Sequence, residues 1–418
     1  MSFRNGRDNR GKIFLIIATL FMWLFIISSF KYYGYEETWH IWNVPTFMPP
    51  FVDFRLIPGS TESFQKGFEP TVENPGDPGG RIFNYPIFWR IFFYSGITQD
   101  DTIWISILMI LLFFFGVFLF SDRLDVSGAT GMLLVIFSPA AMLLYERGNV
   151  DLIVFFLCAV IILAAEWSSY LTTGLILFGL IVKVFPLFGV TVLLRESKKR
   201  FILLGLVCLL FTLVYGYLTF KSQNIAWSNT MRGDGLSYGS FVIITKFDKY
   251  FQHVFPNLFS FGQWEMLFEA LAIVLICLAG IRAVMERDSL DAAHEKNLAA
   301  FRMGASIYLG TFLLGNNWDY RLAFLVLVVP QLTQWFLHEN MLYRWLAIGS
   351  LIAVLLSCWS LLLNIDLRVI PLKDPLNRIF LMDEFVNWLL VPGFSYLLIA
   401  SAPAWLKDDL QKMIIVKK

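Results

Sequence analysis

Charged and amide side chains interrupt the apolar sequence at four separate places, and together they could carry out acid–base and phosphate chemistry. A carboxylate can take a proton from a hydroxyl group, and cations can stabilise a phosphate group as it leaves. The sequence has no GxGxxG or Walker pattern, so this chemistry would not use a glycine-rich nucleotide loop. The four places are Asp53; Glu146, Arg147, Asn149 and Asp151; Lys183; and residues 316–321.

Each of these places also has a structural explanation that the sequence leaves open. Asp53 could cap a helix at the membrane surface, and Glu146 and Arg147 could form an ion pair that fixes a tight turn. Lys183 could extend from a helix end to the lipid phosphates. Within residues 316–321, an acidic side chain could pair with a basic one at a helix start, where the helix dipole also favours a carboxylate.

The composition predicts the elements that must position these side chains. Of the 418 residues, 57% are hydrophobic and only 16% are charged, and the mean hydropathy is +0.64. A soluble domain carries about 25% charged residues, whereas apolar runs of about 17 to 25 residues are long enough to cross a bilayer. We therefore predict an all-α polytopic membrane protein in which residues 1–418 form one integral membrane domain.

Other features of the composition argue against several classes of function. The net charge is +1, which gives no support to a nucleic-acid partner. The four cysteines stand singly in apolar runs and the four histidines are scattered, so their spacing predicts neither a disulfide framework nor a metal site. The predicted chemistry requires no metal and no other cofactor, and the sequence does not exclude a metal.

Apolar segments that could cross a membrane recur along the whole sequence, and we expect about 11 to 13 transmembrane helices. A long loop over 31–101 follows the first of them, a second long loop covers 220–262, and a shorter one covers 364–385. The expected spans are 13–30, 102–121, 126–144, 150–166, 171–194, 201–219, 264–283, 298–315, 321–337, 343–363 and 386–405.

Clusters of basic residues predict which helix ends face the cytoplasm. The N-terminus, residues 195–200 and the C-terminal tail are basic, so all three are expected there, and the first helix is expected to remain uncleaved. This arrangement is possible only if residues 171–194 enter and leave the membrane on the same side. Because Pro186 interrupts that segment, we expect two short half-helices that meet near Lys183 on the outer side.

The loops expected on the outer side carry distinct features. Residues 84–94 are aromatic and too short to span, so we expect a segment that lies on the membrane surface. Residues 241–259 are expected to form a second such segment, and residues 232–235 a flexible charged turn before it. Residues 73–80 are rich in turn-forming residues and are expected to form a mobile lid.

The order of several short motifs resembles that of membrane glycosyltransferases of the GT-C class. The similarity is greatest to family 87, which depends on polyprenol-phosphate mannose and includes chains described as a domain of unknown function. Tyr-Pro-Ile replaces the Tyr-Pro-Pro of that family, and Tyr320-Arg321 stands where it usually has histidine. The similar stretches are Asp53 and residues 67–70, 83–86, 146–149, 174–186 and 317–321.

This resemblance implies a GT-C-like helix bundle that transfers a sugar, mannose or another hexose or pentose, from a polyprenyl-phosphate donor to a lipid or glycan acceptor. It implies an attack that inverts the anomeric centre, with Asp53 as the general base. Guanidinium groups suit bidentate phosphate binding and an ammonium contributes a point charge, so the implied phosphate ligands are Arg147, Lys183 and Arg321. The implied substrate-binding residues are Glu69, Tyr85, Glu146, Asn149, Trp318, Asp319 and Tyr320.

Other classes of function stay open at this point. A transporter or flippase for lipid-linked sugars would share the polytopic build, but such proteins often contain inverted repeats with paired broken helices. The sequence has one broken helix and no internal repeat, which favours the enzyme. A polysaccharide polymerase or ligase, or a membrane partner without activity, would have similar architecture. The resemblance implies an integral protein of the bacterial plasma membrane among membrane lipids, and the basic residues predict that both termini are cytoplasmic.

Overall fold

The computed structural model describes residues 9–122, 124–230, 236–245, 260–286, 290, 294–315, 317–363 and 378–415. The predicted class is confirmed, because the regular secondary structure of this part of the chain is helical apart from one short pairing of two strands. Within these residues, five helices are long and apolar enough to cross a membrane, and two bent helix pairs raise the number to seven. Several of the other expected spans are shorter apolar helices.

Sixteen α-helices, four 3₁₀ helices and two strands make up the described part of the chain. The α-helices are α1 (Arg10–Tyr33), α2 (Tyr35–His40), α3 (Leu56–Gln65), α4 (Thr102–Phe120), α5 (Val126–Ile136), α6 (Pro139–Arg147), α7 (Asp151–Ala165), α8 (Ser169–Val182), α9 (Lys198–Ser228), α10 (Phe261–Met285), α11 (Glu295–Leu314), α12 (Val329–Trp335), α13 (Met341–Cys358), α14 (Ser360–Leu363), α15 (Arg378–Ala400) and α16 (Ala404–Ile415). The 3₁₀ helices are Ile87–Tyr94, Gln99–Asp101, Phe185–Arg195 and Asp319–Leu327. Strands β1 (Ser237–Tyr238) and β2 (Asn317–Trp318) pair antiparallel.

The chain divides into two compact units that alternate along the sequence. The first unit is Met1–Val44, Phe118–Met142 and Gly233–Lys418, and the second is Pro45–Val117 and Leu143–Arg232. Asp53, residues 146–151 and Lys183 belong to the second unit, whereas residues 317–321 belong to the first.

A helical hairpin in the second unit matches the expected pair of half-helices. α8 ends at Val182, Lys183 is extended, and a 3₁₀ helix with Pro186 in its first turn follows. The two arms lie close together, because a Cβ on Gly179 would stand 2.7 Å from Cβ of Pro186. The guanidinium of Arg195 donates to the carbonyl of Ala165, so the second arm returns to the end at which α8 began. Lys183 therefore lies at the tip.

The predicted surface segment of the first loop is the 3₁₀ helix Ile87–Tyr94. It buries Trp89 and Phe93 and exposes Ile91 and Tyr94, as an interfacial segment should. The indole of Trp89 donates to the carbonyl of Val182 at 2.9 Å, which ties this segment to the end of α8. The second predicted surface segment falls mostly on residues 246–259, and with the predicted turn 232–235 it lies outside the described residues.

Residues 73–80 do not form the mobile lid that their turn-forming residues predicted. Asn74 and Asp77 are buried, and the amide of Asn74 donates to Oγ of Ser60 at 3.1 Å. A Cβ on Gly59 would stand 2.7 Å from the carbonyl oxygen of Gly76, so the stretch packs directly on α3. It is a fixed part of the loop because buried polar groups and a close backbone approach hold it.

The first unit contains two polar clusters that connect its helices. In one of them Asp122 accepts from Lys12 at 2.6 Å and from Lys296 at 2.8 Å. Burial by itself would raise the pKa of Asp122, but these two hydrogen bonds lower it below its ordinary value. Elsewhere the buried Asn387 accepts from the hydroxyls of Tyr308 at 3.0 Å and Ser357 at 2.9 Å, which joins α11, α13 and α15.

Candidate functional site

Asp53 lies in a turn just before α3, and it does not cap that helix. α3 begins at Leu56, its N-cap position is Arg55, and no side chain caps it. The backbone N–H of Asp53 donates to the carbonyl of Arg147 at 3.1 Å. Its carboxylate Oδ2 accepts from Nδ2 of Asn149 at 2.7 Å, and its side chain is 22% exposed. The carboxylate is therefore held in place and still reachable, and the capping explanation is wrong.

Asn149 connects Asp53 to Lys183. Its Oδ1 accepts from Nζ of Lys183 at 3.4 Å and from the backbone N–H of Asp151 at 3.0 Å. Lys183 also forms a salt bridge with Oδ1 of Asp151, whose side chain is fully buried. The ammonium of Lys183 thus has a buried carboxylate of the protein as its partner. One amide side chain bridges the carboxylate of Asp53 and the ammonium of Lys183.

Arg81 faces Asp53 from the other side, and sequence reasoning missed it. Its NH1 lies 3.6 Å from Oδ1 of Asp53. The same guanidinium donates to Asp77 through NH2 at 2.8 Å and through Nε at 3.1 Å, and Asp77 is buried. Oδ2 of Asp77 also accepts from the backbone N–H of Gly79 and of Arg81. An Asp that binds the backbone two residues later is a known turn signal, so this pair had a local signature in the sequence.

The protonation of Arg81 and Tyr85 follows from these contacts. Burial by itself would lower the pKa of Arg81, but its hydrogen bond to Asp77 and the charges of Asp77 and Asp53 raise it above its ordinary value. Burial raises the pKa of the Tyr85 phenol well above its ordinary value, and the charge of Asp53 raises it further. Arg81 is therefore a permanent cation, and Tyr85 keeps its proton and cannot act as a base.

Tyr85 lies inside the cluster. Its hydroxyl is 3.5 Å from the carbonyl oxygen of Asp53, and its ring centroid is 5.8 Å from Nζ of Lys183. Glu69 lies elsewhere in the loop, where its carboxylate pairs with Arg90 and accepts from the Thr71 hydroxyl. Of the two predicted substrate-binding residues in the first loop, the structure brings Tyr85 into contact with Asp53 and places Glu69 in a separate ion pair.

Arg147 and Glu146 form the mutual ion pair that the sequence left open as a structural role for both residues. NH1 of Arg147 lies 3.1 Å from Oε2 of Glu146, and Oε1 of Glu146 accepts from the backbone N–H of Phe47 at 3.0 Å. The guanidinium is 4.1 Å from the centroid of the Phe47 ring, a cation–π distance. Within the described part of the chain, NH1 and NH2 of this buried side chain donate no hydrogen bond. NH1 faces Glu146 at ion-pair distance and the residue is 2% exposed, so the protein encloses this guanidinium.

Gly148 controls the turn that supports Asp53, and we predict that Gly148→Ala is destabilising. Its φ is +56°, and an added Cβ would stand 2.9 Å from Cβ of Phe51 and 2.9 Å from Oγ of Ser106. Strain and overpacking of this kind cost about 1–3 kcal/mol of the free energy of unfolding. Thermal unfolding in detergent would measure the loss. Gly174→Ala is the control, because no atom lies within 4 Å of its added Cβ, and equal stability of the two variants would contradict the prediction.

The remaining predicted site residues lie in the first unit. Asn317 and Trp318 pair with β1, and the backbone N–H of Asp319 donates to the carbonyl of Leu236 at 2.8 Å. Asp319 and Tyr320 are buried, and the ring of Tyr320 stacks on that of Trp318. The guanidinium of Arg321 donates to Oδ1 of Asn317. These residues lie together where β2 leads into the 3₁₀ helix Asp319–Leu327. The roles predicted for them remain predictions.

The exposure of the cluster in the second unit indicates which groups a substrate can reach. The side chains of Asp77 and Asp151 are fully buried, at 0% exposed. Those of Asp53, Arg81 and Lys183 are 22%, 25% and 16% exposed. Two buried carboxylates thus hold two cations beside one accessible carboxylate. This arrangement can take a proton at Asp53 and bind an anion at the neighbouring cations.

Comparison with known proteins assigns no family to the chain. No family model matches the sequence, and no curated protein matches it. Among solved structures, the crystal structure of ArnT from Cupriavidus metallidurans in the apo state is similar, with a TM-score of 0.36 and 14% sequence identity. The alignment covers 92% of this chain and 77% of that one. A likeness of this size assigns no activity.

Proposed function

We propose that the protein is a membrane glycosyltransferase that moves a sugar from a polyprenyl-phosphate donor to a hydroxyl group of a lipid or glycan acceptor. The observation that carries the proposal is the accessible carboxylate of Asp53 between two cations, Arg81 and Lys183, each fixed by its own buried carboxylate. Glycosyl transfer from a phosphate needs a base for the acceptor and positive charge for the leaving group. The cluster provides both within one unit of the chain.

In the proposed reaction Asp53 acts as the general base. One carboxylate oxygen, Oδ2, is engaged by Asn149, while Oδ1 faces Arg81 at 3.6 Å, beyond hydrogen-bond distance. The carboxylate takes the proton of the acceptor hydroxyl as its oxygen attacks the anomeric carbon. The bond from that carbon to the phosphate oxygen breaks, and the polyprenyl phosphate leaves with the bonding electron pair. Direct attack from the opposite face inverts the anomeric centre.

The cations around Asp53 would bind the leaving phosphate. Arg81 supplies a guanidinium that stays charged, and Lys183 supplies an ammonium at the hairpin tip. The backbone carbonyl of Arg147 accepts from the N–H of Asp53, and its guanidinium is buried against Glu146 and Phe47. We therefore propose Arg81 and Lys183 as the phosphate ligands. The roles of Arg147 and of Arg321, in the first unit, follow from the resemblance alone.

The aromatic residues next to Lys183 would receive the first part of the polyprenyl chain. Tyr85 and Trp89 have ring centroids 5.9 Å apart, and Phe88 packs edge-on against Phe178 of α8 at 5.7 Å. These rings connect the reactive cluster to the apolar surface of the hairpin. We propose mannose or another hexose or pentose as the sugar and the outer face of a bacterial plasma membrane as the place of transfer.

A transfer assay tests this proposal. Purified protein in nanodiscs is given radiolabelled sugars one at a time, linked either to polyprenyl phosphate or to a nucleoside diphosphate, with a membrane lipid extract as acceptor. We expect label to move to a new product from a polyprenyl-phosphate donor only. In parallel, proteoliposomes are assayed for movement of the intact lipid-linked sugar across the bilayer. Movement without transfer, by folded protein, would contradict the enzyme and favour a transporter.

A further inference from the structure

A polar cavity lies in the same unit as Asp53, at the end of α7 that is remote from Asp53. Asp151 begins α7 beside the reactive cluster, and Ala165 ends it, about 22 Å away at the rise of an α-helix. The cavity has a volume of about 230 Å³. Its lining includes Ala165, Glu166, Tyr170, Arg195, Glu196 and Arg200.

Charged groups of both signs form the walls of this cavity. Arg195 donates to the carbonyl of Ala165, which fixes its guanidinium at the rim. NH1 of Arg200 lies 3.0 Å from Oε2 of Glu196, and its guanidinium carbon is 6.0 Å from the centroid of the Tyr170 ring. Glu166 provides a second carboxylate. Two guanidinium and two carboxylate groups therefore face one small space, which suits a ligand that carries both charges.

Exposed aromatic side chains surround the cavity, as we expect at a membrane–water interface. Trp167 and Tyr170 are 72% and 63% exposed, at the point where the apolar helices α7 and α8 meet. Tryptophan and tyrosine in such positions mark the level of lipid headgroups. α8 also starts here, with Ser168 as its N-cap, so the positive end of its dipole points at the cavity. Basic pockets between membrane helices commonly bind lipid headgroups.

We propose that this cavity binds a phospholipid headgroup that contains a phosphate and a primary ammonium, as in phosphatidylethanolamine. Arg195 and Arg200 bind the phosphate, and Glu166 and Glu196 accept hydrogen bonds from the ammonium. A quaternary ammonium could not donate those bonds, and the glycerol of phosphatidylglycerol has no positive charge to place beside the two carboxylates. The inference does not depend on the proposed enzyme activity.

The bound lipid would act on the base of the hairpin whose tip carries Lys183. Arg195, at the end of the second arm, is joined to Ala165 at the end of α7, and both line the cavity. A headgroup bound to Arg195 would therefore contact the C-terminal end of α7 and the end of the second hairpin arm. We expect the lipid to raise the melting temperature of the folded protein, because a ligand bound only by the native state stabilises it.

Native mass spectrometry of the detergent-solubilised protein tests the proposal with single added lipids. We expect phosphatidylethanolamine to be retained more strongly than phosphatidylcholine or phosphatidylglycerol. In Arg195→Gln/Arg200→Gln its apparent affinity is expected to fall about tenfold or more, since hydrogen bonds to charged groups are lost. The matched control is Lys198→Gln/Lys199→Gln, which removes two charges from the first turn of α9, outside the cavity lining, and is expected to bind like the wild type.

Several outcomes would overturn the proposal. One is equal loss in the two double variants, because binding would then depend on the general positive charge of this region and not on the cavity. Another is equal retention of the three lipids. If soluble phosphoethanolamine were retained as strongly as the lipid, the proposal that the ligand is a membrane lipid would be overturned. Should the arginine variant not fold, Glu166→Gln/Glu196→Gln gives the same test, and it is expected to lower retention of phosphatidylethanolamine to that of phosphatidylcholine.

Discussion

Replacement of Asp53 by asparagine is expected to lower sugar transfer by about 10²–10⁴-fold, the usual contribution of a general base. Asparagine has nearly the same shape and keeps an oxygen that can accept from Nδ2 of Asn149, the 2.7 Å contact that holds the carboxylate. The variant should therefore fold and still bind the donor phosphate through Arg81 and Lys183. What it lacks is a group that can take the proton of the acceptor.

The measurement is the initial rate of transfer from the polyprenyl-phosphate donor that the wild type uses, together with donor affinity. Asp100→Asn is the matched control, since Asp100 is an exposed acid of the same loop and lies outside the cluster. We expect the control to transfer at the wild-type rate. Near-normal turnover by Asp53→Asn would show that Asp53 is not the base, whatever the reaction.

The largest expected effect on stability comes from Lys183→Met. This change removes the cation that faces the fully buried carboxylate of Asp151. Removing one partner of a buried ion pair costs about 3–5 kcal/mol of the free energy of unfolding, because a charge is left in an apolar environment. Thermal unfolding in detergent, or unfolding in a graded denaturant, would measure this loss as a lower midpoint.

A second variant separates the charge effect from the loss of packing. In Asp151→Asn/Lys183→Met both charges are gone, so most of the stability should return. Arg90→Gln is a control for ion pairs in general, since its pair with Glu69 is 35% and 48% exposed and should contribute about 0–1 kcal/mol. If Lys183→Met were as stable as Arg90→Gln, the buried carboxylate of Asp151 would not depend on the lysine for its stability.

Much of the local structure could be predicted from the sequence because it depends on local rules. Pro186 after Lys183 predicts an interrupted helix, and the basic residues 195–200 predict that both ends of the hairpin face one side. The hairpin follows both signals. The aromatic 3₁₀ helix Ile87–Tyr94 was likewise predictable, since too few apolar residues were present to span a bilayer.

The composition of the site could be predicted only in part. Asp53, Asn149 and Lys183 stand out as polar residues beside apolar runs, and they do meet. Arg81 stands in a polar loop, where a charged residue needs no explanation, and only tertiary packing against α3 brings it to Asp53. The turn residues at 73–80 predicted mobility, but burial of Asn74 and Asp77 fixes them. Local propensity cannot report contacts between distant segments.

The hairpin of α8 and its 3₁₀ arm also has a consequence for experiments that map this protein in membranes. Because Arg195 returns to Ala165, a reporter domain fused after the hairpin should give the same signal as one fused before it. A hydropathy count that treats the segment as one crossing would assign every later loop to the wrong compartment. Fusions on the two sides of this segment would thus determine the sidedness of the whole C-terminal half.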